Sequence, residues 1–151
     1  MLSKLDVNHG VAGFLLANGA LNADGDEGAI RQKILENDKV EAIIVLPRDM
    51  FYTTDISVTL WILNINKGPG EKAGRKLRDR RGEVLFVDLR TWDENIEKYT
   101  YEKSKSKKKT VLTSEQIARV KDIFESWRCV DGGYEDVPEL CKSVHIKGDD
   151  S

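Results

Sequence analysis

The sequence predicts an α/β fold, and three observations carry that reading. An unbroken apolar run at residues 42–46 is stopped by Pro47. A short run of this kind suits a strand covered on both faces, and proline ends it because it has no N–H for the ladder. Ahead of it, an apolar run and a helical pattern give the order strand, helix, strand. That is a βαβ unit, whose strands are expected parallel with a right-handed crossover. Behind it, Ile56, Val58, Leu60 and Ile62 alternate with Ser57, Thr59, Trp61 and Leu63, the period of two of a further strand.

Residues 1–10 look like a frayed end with Leu2 and Leu5 as apolar anchors. The first strand, at about 11–17, is ended by Asn18-Gly19, a dipeptide that tolerates left-handed backbone. A polar stretch at 22–28 leads into a helix at about 27–36. Ile30, Ile34 and Leu35 share one face, Asp24 or Asp26 is available as N-cap, and Asn37 is a plausible left-handed stop. The second strand is expected at about 40–46. The loop 48–55 then sits past the carboxyl end of a strand, where open α/β sheets place their ligands. It holds Phe51, Tyr52, Thr53 and Thr54. Adjacent loop aromatics are poor at building a core and good at gripping something flat.

That loop is too short for a crossover helix, so the strand at about 56–63 should run antiparallel to its predecessor. Residues 67–83 form a glycine-rich basic segment, with Lys67, Lys72, Arg75, Lys76, Arg78, Arg80 and Arg81 against Glu71, Asp79 and Glu83. A solvated hairpin connection is the favoured reading over a phosphate-contacting arm. A strand follows at about 84–89. Residues 102–110 carry Lys103, Lys105, Lys107, Lys108 and Lys109 and read as a mobile linker. Thr113 and Gln116 make a capping box, with Leu112 and Ile117 as a hydrophobic staple, at the start of a helix running to about 127. Its stripe of Ile117, Val120, Ile123, Phe124 and Trp127 reads as packing. Beyond Gly132-Gly133 the tail reads as irregular. The organisation expected is therefore an α/β unit at 1–92, a charged linker at 93–111, and a capped helix with its tail at 112–151.

Composition narrows the classes. The 151 residues are one domain's worth of chain, 40% apolar and 33% charged, with a net charge of −2. The net charge argues against binding nucleic acid by bulk charge alone, so any basic footprint must be local. No apolar run approaches the roughly 20 residues of a membrane span, and the first residues do not form a signal peptide. Cys129 and Cys141 lack C-x-x-C spacing and indicate neither zinc site nor disulfide framework, which suits a reduced, cytoplasmic setting. His9 and His145 have no metal-ligand spacing. Asp49, Asp55 and Asp88 lie near strand ends as isolated carboxylates, and no glycine-rich phosphate loop follows a strand.

Several motifs occur in one order: Gly10-Val-Ala-Gly-Phe-Leu-Leu-Ala-Asn-Gly19, Glu27-Gly28-x-Ile30-Arg31 with Glu36, and Val40-Glu-Ala-Ile-Ile with Leu46-Pro47. Then come Phe51-Tyr52-x-Thr54-x-Ile56, Leu60-Trp61-Ile62-Leu63, and Arg78-Asp-Arg-Arg-Gly82 before Val84-Leu85-Phe86-Val87-Asp88. Leu112-Thr-x-Glu-x-Ile117, Trp127-Arg128, Tyr134-Glu-Asp-Val-Pro138 and Cys141-Lys-Ser143 close the series. Read together, they resemble the later half of the catalytic region of the modification subunit of type I restriction–modification systems, and the segment after it. Members of that family are S-adenosylmethionine-dependent adenine-N6 DNA methyltransferases.

The resemblance implies part of a Rossmann-like methyltransferase sheet, β-α-β followed by antiparallel strands. It implies S-adenosylmethionine as cofactor of the complete subunit. The implied partners are the rest of that subunit, a specificity subunit, a restriction subunit and double-stranded DNA. The family's glycine-containing cofactor loop and its Asn-Pro-Pro-aromatic motif lie upstream of the matched region, and neither occurs here. Met1 falls inside what resembles a helix end of the longer protein. A fragment is therefore expected, with no catalytic residue in this segment, no cofactor of its own and no activity alone. The family flips adenine out of the duplex, and the loop after this strand supplies a stacking aromatic. Phe51 or Tyr52 is expected in that role, the other ring packing into the sheet, with Thr54 and Arg48 as neighbours. Arg48, Lys72, Arg75, Lys76 and Arg78 are candidate phosphate contacts. Two other readings are a non-catalytic module that docks on a specificity subunit through the capped helix and tail, and an unrelated α/β binding domain.

Overall fold

The computed structural model describes residues 5–6, 10–17, 26–51, 57–92, 94, 96–102 and 105–146. Chain order is β1 (Val11–Ala17), α1 (Asp26–Glu36), β2 (Val40–Val45), β3 (Val58–Asn64), β4 (Gly70–Lys72), β5 (Arg75–Leu77), β6 (Glu83–Asp88), β7 (Ile96–Glu102), β8 (Lys105–Thr110), α2 (Ser114–Arg128) and β9 (Cys141–His145). The main sheet has five strands in the order β1-β3-β2-β6-β9. β3 is antiparallel to both β1 and β2, so those two strands point the same way, but β3 lies between them. β6 adds parallel to β2, and β9 closes the far side antiparallel to β6.

Each face of the sheet carries one apolar cluster. Ala42, Ile44, Leu85, Val87 and Cys141 pack with Ile123 and Trp127 of α2. Val40, Ile43, Trp61, Leu63 and Val84 pack on the other face with Ile34 and Leu35 of α1. Helical and strand periods explain the split, since alternate strand residues face opposite sides while one helical stripe covers each. Trp127 is fully buried and donates its indole N–H to Ser143 Oγ at 2.9 Å. The capping box of α2 is formed: Thr113 Oγ1 accepts from the Gln116 N–H at 3.1 Å, and Gln116 Oε1 accepts from the Thr113 N–H at 2.9 Å.

Several expectations need correction. Residues 93–111, read as a charged linker, carry the antiparallel hairpin β7–β8, a two-stranded sheet of its own. The tail read as irregular contributes β9, and α2 packs on the same core as β2 and β6, so residues 112–146 are part of the α/β body. The left-handed residue after α1 is Asp38, with φ of 57°, rather than Asn37. Asp26 is the first helical residue rather than the N-cap, and Asp24 and Ile56 lie outside the described residues. Ile30 and Ile117 are exposed, so neither belongs to its helix's buried stripe, and Ile117 forms no buried staple.

Candidate functional site

β2 and β6 are parallel neighbours with Val45 opposite Asp88, so both carboxyl ends reach one edge of the sheet. Three hydrogen bonds fix the chain as it leaves. The Leu89 N–H donates to Val45 O at 2.8 Å, the Leu46 N–H donates to Val58 O at 2.9 Å, and Ser57 Oγ donates to Leu46 O. Pro47 is fully buried. Asp49 has φ of 59°, a conformation Asp tolerates better than most residues, and it turns the chain.

The loop then divides its duties. Met50 and Phe51 are half-buried and pack against the cluster that holds Leu46, Leu89 and Trp127. Arg48 is exposed. Tyr52 and Thr54 lie outside the described residues. Close by, Asp88 and Arg90 form a surface ion pair at 2.7 Å, which holds the Asp88 carboxyl below its ordinary range. A mainly apolar cleft of about 500 Å³ opens at this edge, bounded by Val45, Phe86, Asp88 and the turn from Asp136 to Lys142. Asp136 is also lowered, first by the Ser143 N–H and then by the Tyr134 hydroxyl. Burial pushes the Tyr134 phenol up, with Asp136 and Cys141 adding to the effect. Both carboxylates are thus fixed acceptors, and neither is tuned for proton transfer near neutrality. Among the described residues no group of His, Cys, Asp and Glu is placed to hold a metal ion, and no helix is long and apolar enough to cross a membrane.

The basic segment lies elsewhere. β4 and β5 pair as a hairpin carrying Lys72, Arg75 and Lys76, all exposed. It is tied to the end of α2, since the Val130 N–H donates to Lys76 O at 2.9 Å and the Arg78 N–H to Arg128 O at 2.9 Å. Arg75 pairs with Asp131 at 3.3 Å, which raises its guanidinium pKa. Arg78 is turned inward. Its Nε donates to Trp127 O, its NH1 to Glu83 Oε2 at 2.6 Å, and its guanidinium lies 5.0 Å above the Trp127 ring. Arg80 is buried against Glu41 at 2.9 Å, and Asn64 Nδ2 donates to the other oxygen of Glu41 at 2.9 Å. Lys67, also buried, donates to Asp38, to Val40 O and to Glu83 O.

These contacts gather where β2 and β6 begin, at Val40 and Glu83. The aromatic loop sits where they end. A strand length, about 20 Å, therefore separates Lys72, Arg75, Lys76 and Arg78 from Arg48 and Phe51. The structure brings another basic element to the loop instead. The Thr110 N–H at the end of β8 donates to Asp49 O at 2.8 Å, and Thr110 is buried. The lysines of β7–β8 were not among the candidate contacts. The run Ile96 to Tyr101, rich in aromatic and β-branched residues, was the signal for a strand that the lysine count obscured.

Comparison with known proteins places this arrangement. The N-6 DNA methylase family profile matches residues 1–148. A type I restriction enzyme HindI methylase subunit from Haemophilus influenzae is 34% identical over 97% of this chain and 28% of its own length. A type I restriction enzyme MjaIX methylase subunit from Methanocaldococcus jannaschii is 34% identical over 77% of this chain and 18% of its own. The crystal structure of a type I restriction-modification methyltransferase subunit from Streptococcus thermophilus superimposes with a TM-score of 0.67 at 23% identity. That superposition covers 95% of this chain and 24% of the other. The present chain thus spans less than a third of each of these proteins.

Proposed function

Since the chain belongs to the N-6 DNA methylase family, we propose that it is part of the modification subunit of a type I restriction–modification system. The complete subunit transfers a methyl group from S-adenosylmethionine to adenine N6 in double-stranded DNA, in the cytoplasm and together with a specificity subunit. In this reading β1, α1 and β2 with antiparallel β3 are the later part of a Rossmann-like sheet, and the edge at Val45 and Asp88 faces the extruded adenine.

The observation that carries this reading is Phe51. Its ring is packed into the core beside the carboxyl end of β2, so it is the inward member of the aromatic pair. Tyr52 is then assigned the base-stacking role, with Thr54 and Arg48 as its weaker contributors. Stacking of a base on an aromatic ring is worth about 1–3 kcal/mol, roughly a 5- to 150-fold effect on kcat/KM. The residues at this edge do not themselves make a pocket for S-adenosylmethionine. Asp88 is engaged by Arg90, Asp136 by Ser143 and Tyr134, and no glycine turn follows β2 or β6 to admit a nucleoside cofactor closely. Without the cofactor loop and the Asn-Pro-Pro-aromatic motif, this chain alone is inactive.

Methylation by a complete subunit with its specificity subunit tests the assignment. Tyr52→Ala should reduce kcat/KM by that factor while leaving the melting temperature unchanged, and Tyr52→Phe should retain activity. Phe51→Ala should lower the melting temperature. Wild-type methylation by Tyr52→Ala would refute the assignment. Calorimetric titration of the present chain with S-adenosylmethionine should show no binding; micromolar affinity would mean that the chain holds a cofactor site of its own.

A further inference from the structure

Phe86 is an anomaly on β6. That strand is interior to the main sheet, between β2 and β9, and its Val84, Leu85 and Val87 are buried, yet Phe86 is 39% exposed. A strand in this position is expected to be covered on both faces. Alternation places Phe86 on the same face as Val84, the face on which α1 packs. There α1 covers the amino-terminal part, where Ile34 and Leu35 pack with Val40, Ile43 and Val84. Toward the carboxyl end, Phe86 and Val45 instead line the apolar cleft of about 500 Å³, together with the turn from Asp136 to Lys142. Val137 on that turn is 37% exposed. Phe51 packs against the cluster on the opposite side of β6, so Phe86 and the aromatic loop belong to different faces.

The turn is fixed and acidic. The Asp88 N–H donates to Leu140 O at 2.7 Å, the Val137 N–H to Cys141 O at 3.0 Å, and the Ser143 N–H to Asp136 Oδ1 at 2.9 Å. Glu139 has φ of 64°, a backbone conformation that a residue other than glycine keeps only where its surroundings impose it. A wall held this firmly costs a ligand little ordering on binding. Residues 131–142 carry four carboxylates, Asp131, Glu135, Asp136 and Glu139, against Lys142, a net charge of −3 where the whole chain carries −2. All five side chains are exposed. Such a surface repels phosphates, so DNA is not its occupant, and it attracts a cationic polypeptide.

We propose that this cleft docks a protein partner, whose segment inserts an apolar side chain against Phe86 and Val137 and presents lysine or arginine to Asp136 and Glu139. An exposed aromatic anchor in a concave apolar patch with a charged rim is the anatomy of an interface hot spot. The docking site goes beyond the DNA-methyltransferase reading and does not depend on it.

The probe is a short fluorescein-labelled amphipathic peptide of leucine and lysine, titrated with the present chain and read by anisotropy. The wild-type chain should bind it, and should bind the counterpart with glutamate in place of lysine more weakly. Phe86→Ser should weaken binding by roughly tenfold or more, with the circular dichroism spectrum unchanged. Glu139→Lys, which leaves the apolar lining intact, should weaken it as well. Leu15→Ser alters a side chain 48% exposed on β1 and should keep wild-type affinity, which separates the cleft from general stickiness. Failure of the wild-type chain to bind, wild-type affinity in Phe86→Ser, or an equal loss in Leu15→Ser overturns the docking site. Sedimentation of the chain alone closes the test: a dimer that Phe86→Ser converts to monomer would assign the face to a second copy and overturn the proposal too. The Tyr52→Ala methylation assay decides the DNA-methyltransferase reading separately.

Discussion

Replacing Glu41 by glutamine tests the buried ion pair that closes the amino end of the sheet. Glu41 on β2 and Arg80 before β6 lie 2.9 Å apart, each side chain 1% exposed. The second oxygen of Glu41 accepts from Asn64 Nδ2 at 2.9 Å. Glutamine fits the same volume but supplies one oxygen and one NH₂ group. Whichever way the amide is turned, a donor meets either Arg80 Nε or Asn64 Nδ2, and the guanidinium stays buried without a countercharge. Removing one partner of a buried pair costs about 3–5 kcal/mol, against the roughly 5–15 kcal/mol that stabilises a domain. With a urea m-value of about 2 kcal/mol per molar, the unfolding midpoint should fall by roughly 1.5–2.5 M. Urea titration followed by tryptophan fluorescence and circular dichroism reads this directly. Glu41→Leu with Arg80→Met should recover much of the loss, since buried pairs are often replaceable by apolar residues; the Asn64 donor left without its acceptor keeps recovery incomplete. A midpoint shift under about 0.5 M for Glu41→Gln would refute the reasoning.

Two further outcomes follow from the same geometry. Thr113→Ala removes the oxygen that accepts from the Gln116 N–H; it should cost about 1 kcal/mol and lower the melting temperature by roughly 2–4 °C in a scanning measurement. Asp79 is held at about 2 by the Arg81 side chain, and Asp88 and Asp136 are also lowered. A lowered carboxyl contributes stability above its unfolded value of about 3.9, and that contribution is lost as pH falls through the folded value. Melts recorded between pH 5 and pH 2 should therefore decline progressively over that window. A flat profile there would show that these contacts contribute nothing to the folded state.

Much of what is local was legible. Pro47 ends the apolar run that becomes β2, the period of two marks β3, and Thr113 with Gln116 opens α2. The aromatic loop was expected past the carboxyl end of a strand, where Phe51 is found. Errors came where local signals compete. Five lysines between 102 and 110 suggested a solvated linker, whereas cross-strand pairing with residues 96–102 forms a hairpin. In the tail, Cys141–His145 is a short strand whose identity depends on pairing with β6, more than fifty residues earlier.

By itself, the sequence determined the types of β1, α1, β2, β3, β6 and α2, the family and the place of the aromatic loop, because capping, periodicity and motif order act over a few residues or are read as text. Tertiary structure alone decided which charges work together. Arg80 finds its carboxylate 39 residues away, Lys67 reaches Asp38 across 29, and Arg78 turns onto Trp127 rather than into solvent. These partners meet only after β3 inserts between β1 and β2 and β6 joins the other side. That strand order depends on hydrogen bonds and packing distant in the chain, which is why the segment at 67–83, read as a solvated hairpin, holds an exposed hairpin at β4–β5 while its flanking Lys67, Arg78 and Arg80 became the clamp that joins β2, β6 and α2.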